Sequence, residues 1–283
     1  MTETLVREPL AHPPLNVDVP DIRPTLERAV TRKARTGLIA GSAVVGAAAG
    51  LVAAPSNPAA MTAAVIATGA VTALAANWST CGMSVAGVVA APKQPERRGS
   101  STPMRRLGWH ALGSLATGIP TGALFGAIGA LVAGSVPWAW MLAAWGVIAL
   151  GYGLHELGMI TLPTPMRRQQ LPRHLRRTMA PWKVSLLFGA LIGPGFMIFI
   201  RSSAYYLLVL GIIASGSPVL GAAMFATVSL GRCMPSVLAI AHTRQGGSMP
   251  GFLSAMCVLD RRVQTLTGGV LIALAAFALA ALV

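Results

Sequence analysis

Few side chains in this chain of 283 residues combine chemical reactivity with an apolar setting. Three are cysteines, Cys81, Cys233 and Cys257, and they form neither a CxxC pair nor a zinc-binding spacing, so no disulfide framework and no metal site are expected. Cys81 lies in the polar cluster Asn77-Trp78-Ser79-Thr80-Cys81-Gly82, halfway along an apolar run. Cys233 follows Arg232 inside another apolar run, where a cation favours the thiolate, so Cys81 and Cys233 are the candidate redox pair. The duller reading of Cys81 is a small apolar filler. Arg201 stands in Arg201-Ser202-Ser203, after the helix-disturbing Gly193-Pro194-Gly195. A charge near the centre of a bilayer costs about 3 kcal/mol, so Arg201 should face a cavity or a partner, unless it snorkels to an interface. Glu156 is the one acidic residue in the apolar runs and the natural partner, with Arg232 competing for it. The candidate substrate- or ion-binding set is therefore Asn77, Thr80, Glu156, Arg201, Ser202 and Ser203. His155-Glu156-Leu157-Gly158-Met159 approaches the zincin helix motif but ends in methionine where the second histidine belongs. His110 has no visible partner and is expected at an interface.

The elements that must position these residues are membrane spans. Hydrophobic residues make up 54% and charged residues 11% of the chain, against about a quarter charged in a soluble domain. An all-α integral membrane protein follows, with the lipid bilayer as its first partner. Its net charge of +14 sits in short loops without the aromatic interleaving that stacks bases, which excludes nucleic acid. Residues 1–36 read as a polar cytoplasmic tail, without the basic-then-apolar plan of a cleaved signal peptide. Seven spans are expected: 37–54, 60–92, 108–133, 138–160, 184–216, 219–241 and 263–283. Gly37/Gly41 and Gly46/Gly50 on the first, and Gly118, Gly122 and Gly126 on the third, are spaced for close helix packing. Pro120 and Pro235 are expected to kink their helices. The tail holds six Lys/Arg and alternate loops hold five, six and three, while the opposite turns hold none. That bias predicts a cytoplasmic N-terminus and a C-terminus on the opposite face, which is the periplasmic one in a bacterial inner membrane.

The second and fifth spans are about 30 residues long, beyond the roughly 20 a helix needs to cross, and each is interrupted near its middle. Polar groups at membrane depth persist where they line a cavity or are buried in protein. Spans two to four (60–160) and five to seven (184–283) thus read as a 3+3 inverted repeat, each trio opening on a broken helix, with the segment 37–55 as an extra N-terminal helix.

Two trios opening on broken helices resemble the transmembrane electron carriers of the CcdA and DsbD type. More narrowly, Asn77-Trp78-Ser79-Thr80-Cys81-Gly82, the glycine-rich third span, Ile200-Arg201-Ser202-Ser203 and Gly216-Ser217-Pro218 resemble the MauF-type proteins of methylamine utilization. The resemblance covers about residues 60–283. It implies an accessory role in maturation or export of a periplasmic redox enzyme, methylamine dehydrogenase, by thiol-disulfide exchange or small-solute passage. Its implied partners are methylamine dehydrogenase subunits or a periplasmic thioredoxin-like protein, and it implies no cofactor. The carriers use one cysteine in the first helix of each trio; here Cys81 matches the first position and Ser203 stands at the second. Rival classes are a secondary transporter of a small anionic solute, which needs the charges, and a structural subunit of a membrane complex, which needs neither charges nor sulfurs.

Overall fold

A computed structural model describes residues 31–52, 59–75, 78, 80–91, 101–132, 135–163, 178–195 and 202–283, with the backbone alone for Arg32, Thr80, Cys81 and Arg261. The described residues form helices and turns. The helices are α1 (Arg32–Val52), α2 (Ala59–Ala75), α3 (Thr80–Val89), α4 (Pro103–Val132), α5 (Trp138–Glu156), α6 (Pro181–Ile192), α7 (Ser203–Ser215), α8 (Pro218–Gly231), α9 (Met234–Arg244) and α10 (Met249–Ala280). Local chemistry sets several boundaries. Gly216 closes α7 in the left-handed conformation (φ 59°), and Ser217 then caps α8 by accepting from the Leu220 N–H at 3.3 Å, with Pro218 in the first turn. Ser248 and Pro250 open α10 in the same way. Among the described residues four segments, Lys33–Val52, Pro103–Val132, Pro218–Arg244 and Met249–Ala280, are long and apolar enough to cross a membrane. Their outer faces carry bare apolar side chains such as Val44, Leu131 and Leu266.

Packing follows the glycines, because lipid supplies no hydrophobic force between helices and close backbone approach must do so. α4 presents Gly113, Gly118, Gly122, Gly126 and Gly129 as buried positions. Its first half lies parallel to α6, with Gly113 against the Leu186 carbonyl and Gly189 against the His110 carbonyl. Its second half runs antiparallel to α8, where a Cβ on either Gly122 or Gly221 would fall on the other's carbonyl oxygen. α5 and α10 form a second antiparallel pair through Gly153, Gly268 and Ile272. α2 and α7 form a third, with Gly211 against Val65 and Gly69 against Leu208. Two apolar clusters result. One joins α2, α5, α7, α8 and the second half of α10 around Leu142, Trp145, Leu208 and Leu271. The other joins α3, α6, α9 and the start of α4 around Val85, Leu107, Phe188 and Ile240.

Both expected interruptions coincide with helix ends, α2 stopping at Ala75 before α3 and α6 stopping at Ile192 before α7. One expectation is refined and two need correction. Pro235 has no N–H to return to Gly231, and the helix is interrupted just before it: α8 ends at Gly231 and α9 begins at Met234, with Arg232 and Cys233 in a right-handed turn between them that forms a third break. Arg261 and Arg262 are not in a loop, because Ser248 and Pro250 start α10 fourteen residues before Val263. Gly46 and Gly50 do pack on α10, at Ala273 and at Phe277 and Ala280, but Gly37 and Gly41 have nothing within 4 Å of a Cβ position. Trp109 and Trp182 meet with ring centroids 5.2 Å apart, since parallel α4 and α6 start at the same end.

Candidate functional site

The third break meets the second. Arg232 is buried, and its Nη1 donates to the carbonyl of Ile192, the last residue of α6. A helix C-terminus carries unsatisfied carbonyls and partial negative charge, so a guanidinium there satisfies both. The same guanidinium lies 5.9 Å from the ring centre of Tyr205 on α7, within cation–π reach. Tyr205 Oη donates in turn to the Pro194 carbonyl. Gly195 takes φ 85°, and a Cβ there would strike the Tyr205 ring, so this turn requires glycine twice over. Thus one arginine from the α8–α9 break and one tyrosine from α7 hold the backbone between α6 and α7. Arg106 does comparable work at α3, donating to the carbonyls of Val88, at 3.3 Å, and of Ala91, two residues past the helix end.

Glu156, the last residue of α5, is 2% exposed, and its Oε1 accepts from the backbone N–H of Ser203 at 2.7 Å. A carboxylate at the first N–H of α7 satisfies an orphan donor and complements the helix dipole. The sequence placed Glu156 near the end of its span; the structure adds that this end reaches the interrupted helix, two residues beyond Arg201. Beside it, Ala75, Glu156, Ser202, Asp260, Val263, Gln264 and Thr267 line a small cavity of about 10 Å³. Gln264 Nε2 donates to Asp260 Oδ1 at 3.3 Å. Ser202 Oγ is buried and has no hydrogen-bond partner among the described residues, as is Ser203 Oγ. Asp260, Gln264 and Thr267 were missed because Asp260-Arg261-Arg262 reads as a charged loop. Their spacing of four and then three residues is that of one helical face and was the available signal.

The other expected site residues are only partly described. Arg201 and Asn77 lie outside the described residues, and Thr80 and Cys81 are placed only by backbone, in the first turn of α3. Cys233 is buried, its thiol donating to the Ser229 carbonyl at 3.6 Å. Cys257 is exposed on α10 and its Sγ lies 3.3 Å from Met83 Sδ on α3. His110 is not interfacial: it is fully buried, 6.1 Å from Phe188 by ring centres, because the glycines draw α6 over it. His155 Nδ1 accepts from the Leu162 N–H at 3.0 Å and so fastens the turn after α5.

These features define a class: an all-helical protein with long apolar helices, whose interrupted helices meet around buried charges and a small polar cavity. No protein-family model matches the chain. No solved structure matches it. Curated relatives do. The chain is 29% identical over 164 residues to the methylamine utilization protein MauF of Methylobacillus flagellatus, a stretch spanning 56% of each chain. It is 29% identical over 168 residues to MauF of Methylophilus methylotrophus, 57% of each. With MauF of Paracoccus denitrificans the identity is 28% over 227 residues, 77% of this chain and 78% of the relative. The chain is similar to MauF-type methylamine utilization proteins, and the first two matches span little more than half the length of those relatives.

Proposed function

We propose that this chain is a seven-span inner-membrane accessory protein of methylamine utilization, built as a 3+3 inverted repeat behind α1. It assists maturation or export of a periplasmic redox enzyme, methylamine dehydrogenase, through passage of a small solute where the interrupted helices meet. The observation that carries this reading is the contact between Glu156 and the start of α7, since a buried carboxylate on broken backbone is costly without a purpose. The alternating helix directions support seven passes, and the α4–α8 and α5–α10 contacts pair equivalent helices of the two trios, as an inverted repeat requires. Deleting the protein should abolish methylamine-dependent growth and periplasmic dehydrogenase activity. Glu156→Gln should restore less than a tenth of that activity at normal membrane abundance; full restoration would end the reading.

Topology has its own test. Reporter fusions after Lys93 and after Arg173 should report the cytoplasm, and fusions at Ser135 and after Val283 the periplasm, because basic residues crowd alternate loops. A periplasmic signal at Arg173 would overturn both the seven spans and the repeat.

A second reading, thiol-disulfide exchange with a periplasmic thioredoxin-like partner, draws on the Cys257–Met83 contact. That contact puts an exposed thiol beside α3, the helix that begins Thr80-Cys81, whereas Cys233 is buried at the α8–α9 break.

A further inference from the structure

The first turns of the parallel helices α4 and α6 carry cations and indole rings side by side. Trp109 on α4 and Trp182 on α6 form a tilted pair, with ring centroids 5.2 Å apart and planes at 40°. Lys183 Nζ lies 5.5 Å from the centre of the Trp182 ring. Arg105 stands one helical turn before Trp109, on the same face of α4. Both cations are exposed and both rings are half-buried. Neither cation forms an ion pair among the described residues, whose carboxylates, Glu156 and Asp260, are buried. We propose that Arg105, Trp109, Trp182 and Lys183 bind one anionic phospholipid at the leaflet where α4 and α6 start, the cytoplasmic one in the topology above. Such a site needs the chain seated in a bilayer but owes nothing to solute passage.

Length puts this patch in the headgroup layer. The 30 residues of α4 rise about 45 Å, against a hydrocarbon thickness of about 30 Å. The far end of α4 is apolar and bare, with Leu131 84% exposed, so the surplus of about 15 Å belongs to the start that carries Arg105 and Trp109. Indole rings settle at that level, where one edge meets acyl chains and the N–H meets water. An anionic lipid supplies what the patch lacks. Its phosphate answers the two cations, and its glycerol and upper acyl chains cover the ring pair. A zwitterionic lipid brings a cation of its own against Arg105 and Lys183 and gains less. Free phosphate would answer the charges and leave the rings uncovered. Arg244 and Arg262 are exposed as well, yet neither makes a cation–π contact among the described residues. They offer charge without an aromatic platform, which makes them the natural control.

The test uses the full chain purified in detergent, with native mass spectrometry counting bound lipid as dioleoylphosphatidylglycerol or dioleoylphosphatidylcholine is added. One phosphatidylglycerol should stay bound where phosphatidylcholine does not. Arg105→Gln and Lys183→Gln should each weaken that binding about fivefold, the contribution of one cation near a membrane surface. Both are exposed, so the variants should keep the gel-filtration profile of the parent. Trp109→Leu with Trp182→Leu should weaken binding with every charge in place. Arg244→Gln with Arg262→Gln, which removes the same charge elsewhere, should leave it unchanged. Equal retention of the two lipids would overturn the site. So would an equal loss in the Arg244 and Arg262 control, since the attraction would then belong to the whole basic face. Displacement of the lipid by inorganic phosphate at constant ionic strength would overturn a lipid as the occupant. Binding is read on purified protein, so failure of the methylamine reading would leave these results unmoved.

Discussion

Gly122→Leu should nearly empty the membrane fraction of folded protein, with abundance falling at least tenfold. Gly122 and Gly221 stand face to face between α4 and α8, and a Cβ on either overlaps the other's carbonyl oxygen. A leucine therefore pushes two backbones apart instead of displacing a flexible side chain. The cost lies at or above the upper end of ordinary overpacking, about 3 kcal/mol. Gly126 meets Ser217 and Pro218 at the start of α8, and Gly129 meets Ile213 on α7, so no neighbouring slack absorbs the shift. Gly37→Leu is the matched control, because nothing lies within 4 Å of its Cβ position. Quantitative blotting of membranes decides the matter: equal abundance of the two variants would show that the two trios do not depend on this contact.

Arg232→Ala should inactivate the protein while leaving its insertion intact. Its guanidinium satisfies the last carbonyl of α6 and lies over Tyr205, which itself holds Pro194. Truncation strands a buried acceptor, at a cost of about 1–3 kcal/mol, and frees the turn that carries Gly195. Losing a charge also makes the segment easier to insert, so abundance should not fall. Arg232→Lys should recover only part of the activity, since an ammonium lacks the planar face that a guanidinium presents to the Tyr205 ring. Membrane abundance and methylamine-dependent growth are read side by side. Full growth with alanine would reduce this arginine to a tolerated passenger.

The helix positions were legible because hydropathy and length decide them in a membrane, and the glycines of α4 announced its packing. The breaks were legible too, since Gly193-Pro194-Gly195 and the cluster before Cys81 cannot continue an apolar helix. What stayed hidden was partnership across the fold. Arg201 drew attention as the costliest residue, yet the cation whose contacts are described is Arg232, whose role depends on where α6 happens to end. Asp260 was masked by Arg261 and Arg262, since three adjacent charges read as a loop unless Ser248 and Pro250 are recognised as a helix start. His110 carried no periodic signal at all; only the close approach of α6 through Gly189 buries it.

The length of α7 has an electrical consequence. Its 13 residues rise about 20 Å from Ser203 to Ser215, out of a hydrocarbon thickness of about 30 Å. With the bundle seated in a bilayer as proposed and α7 upright, the Glu156 carboxyl at the start of α7 lies roughly two thirds of the way across from the side where α7 ends, and a charge at that depth feels about the same fraction of any transmembrane voltage. At about 2.3 kcal/mol per charge per 100 mV for the full drop, that is about 1.5 kcal/mol per 100 mV, near a factor of ten. Energising the cell would shift by that much the balance of any step that carries a charge between that side and this depth.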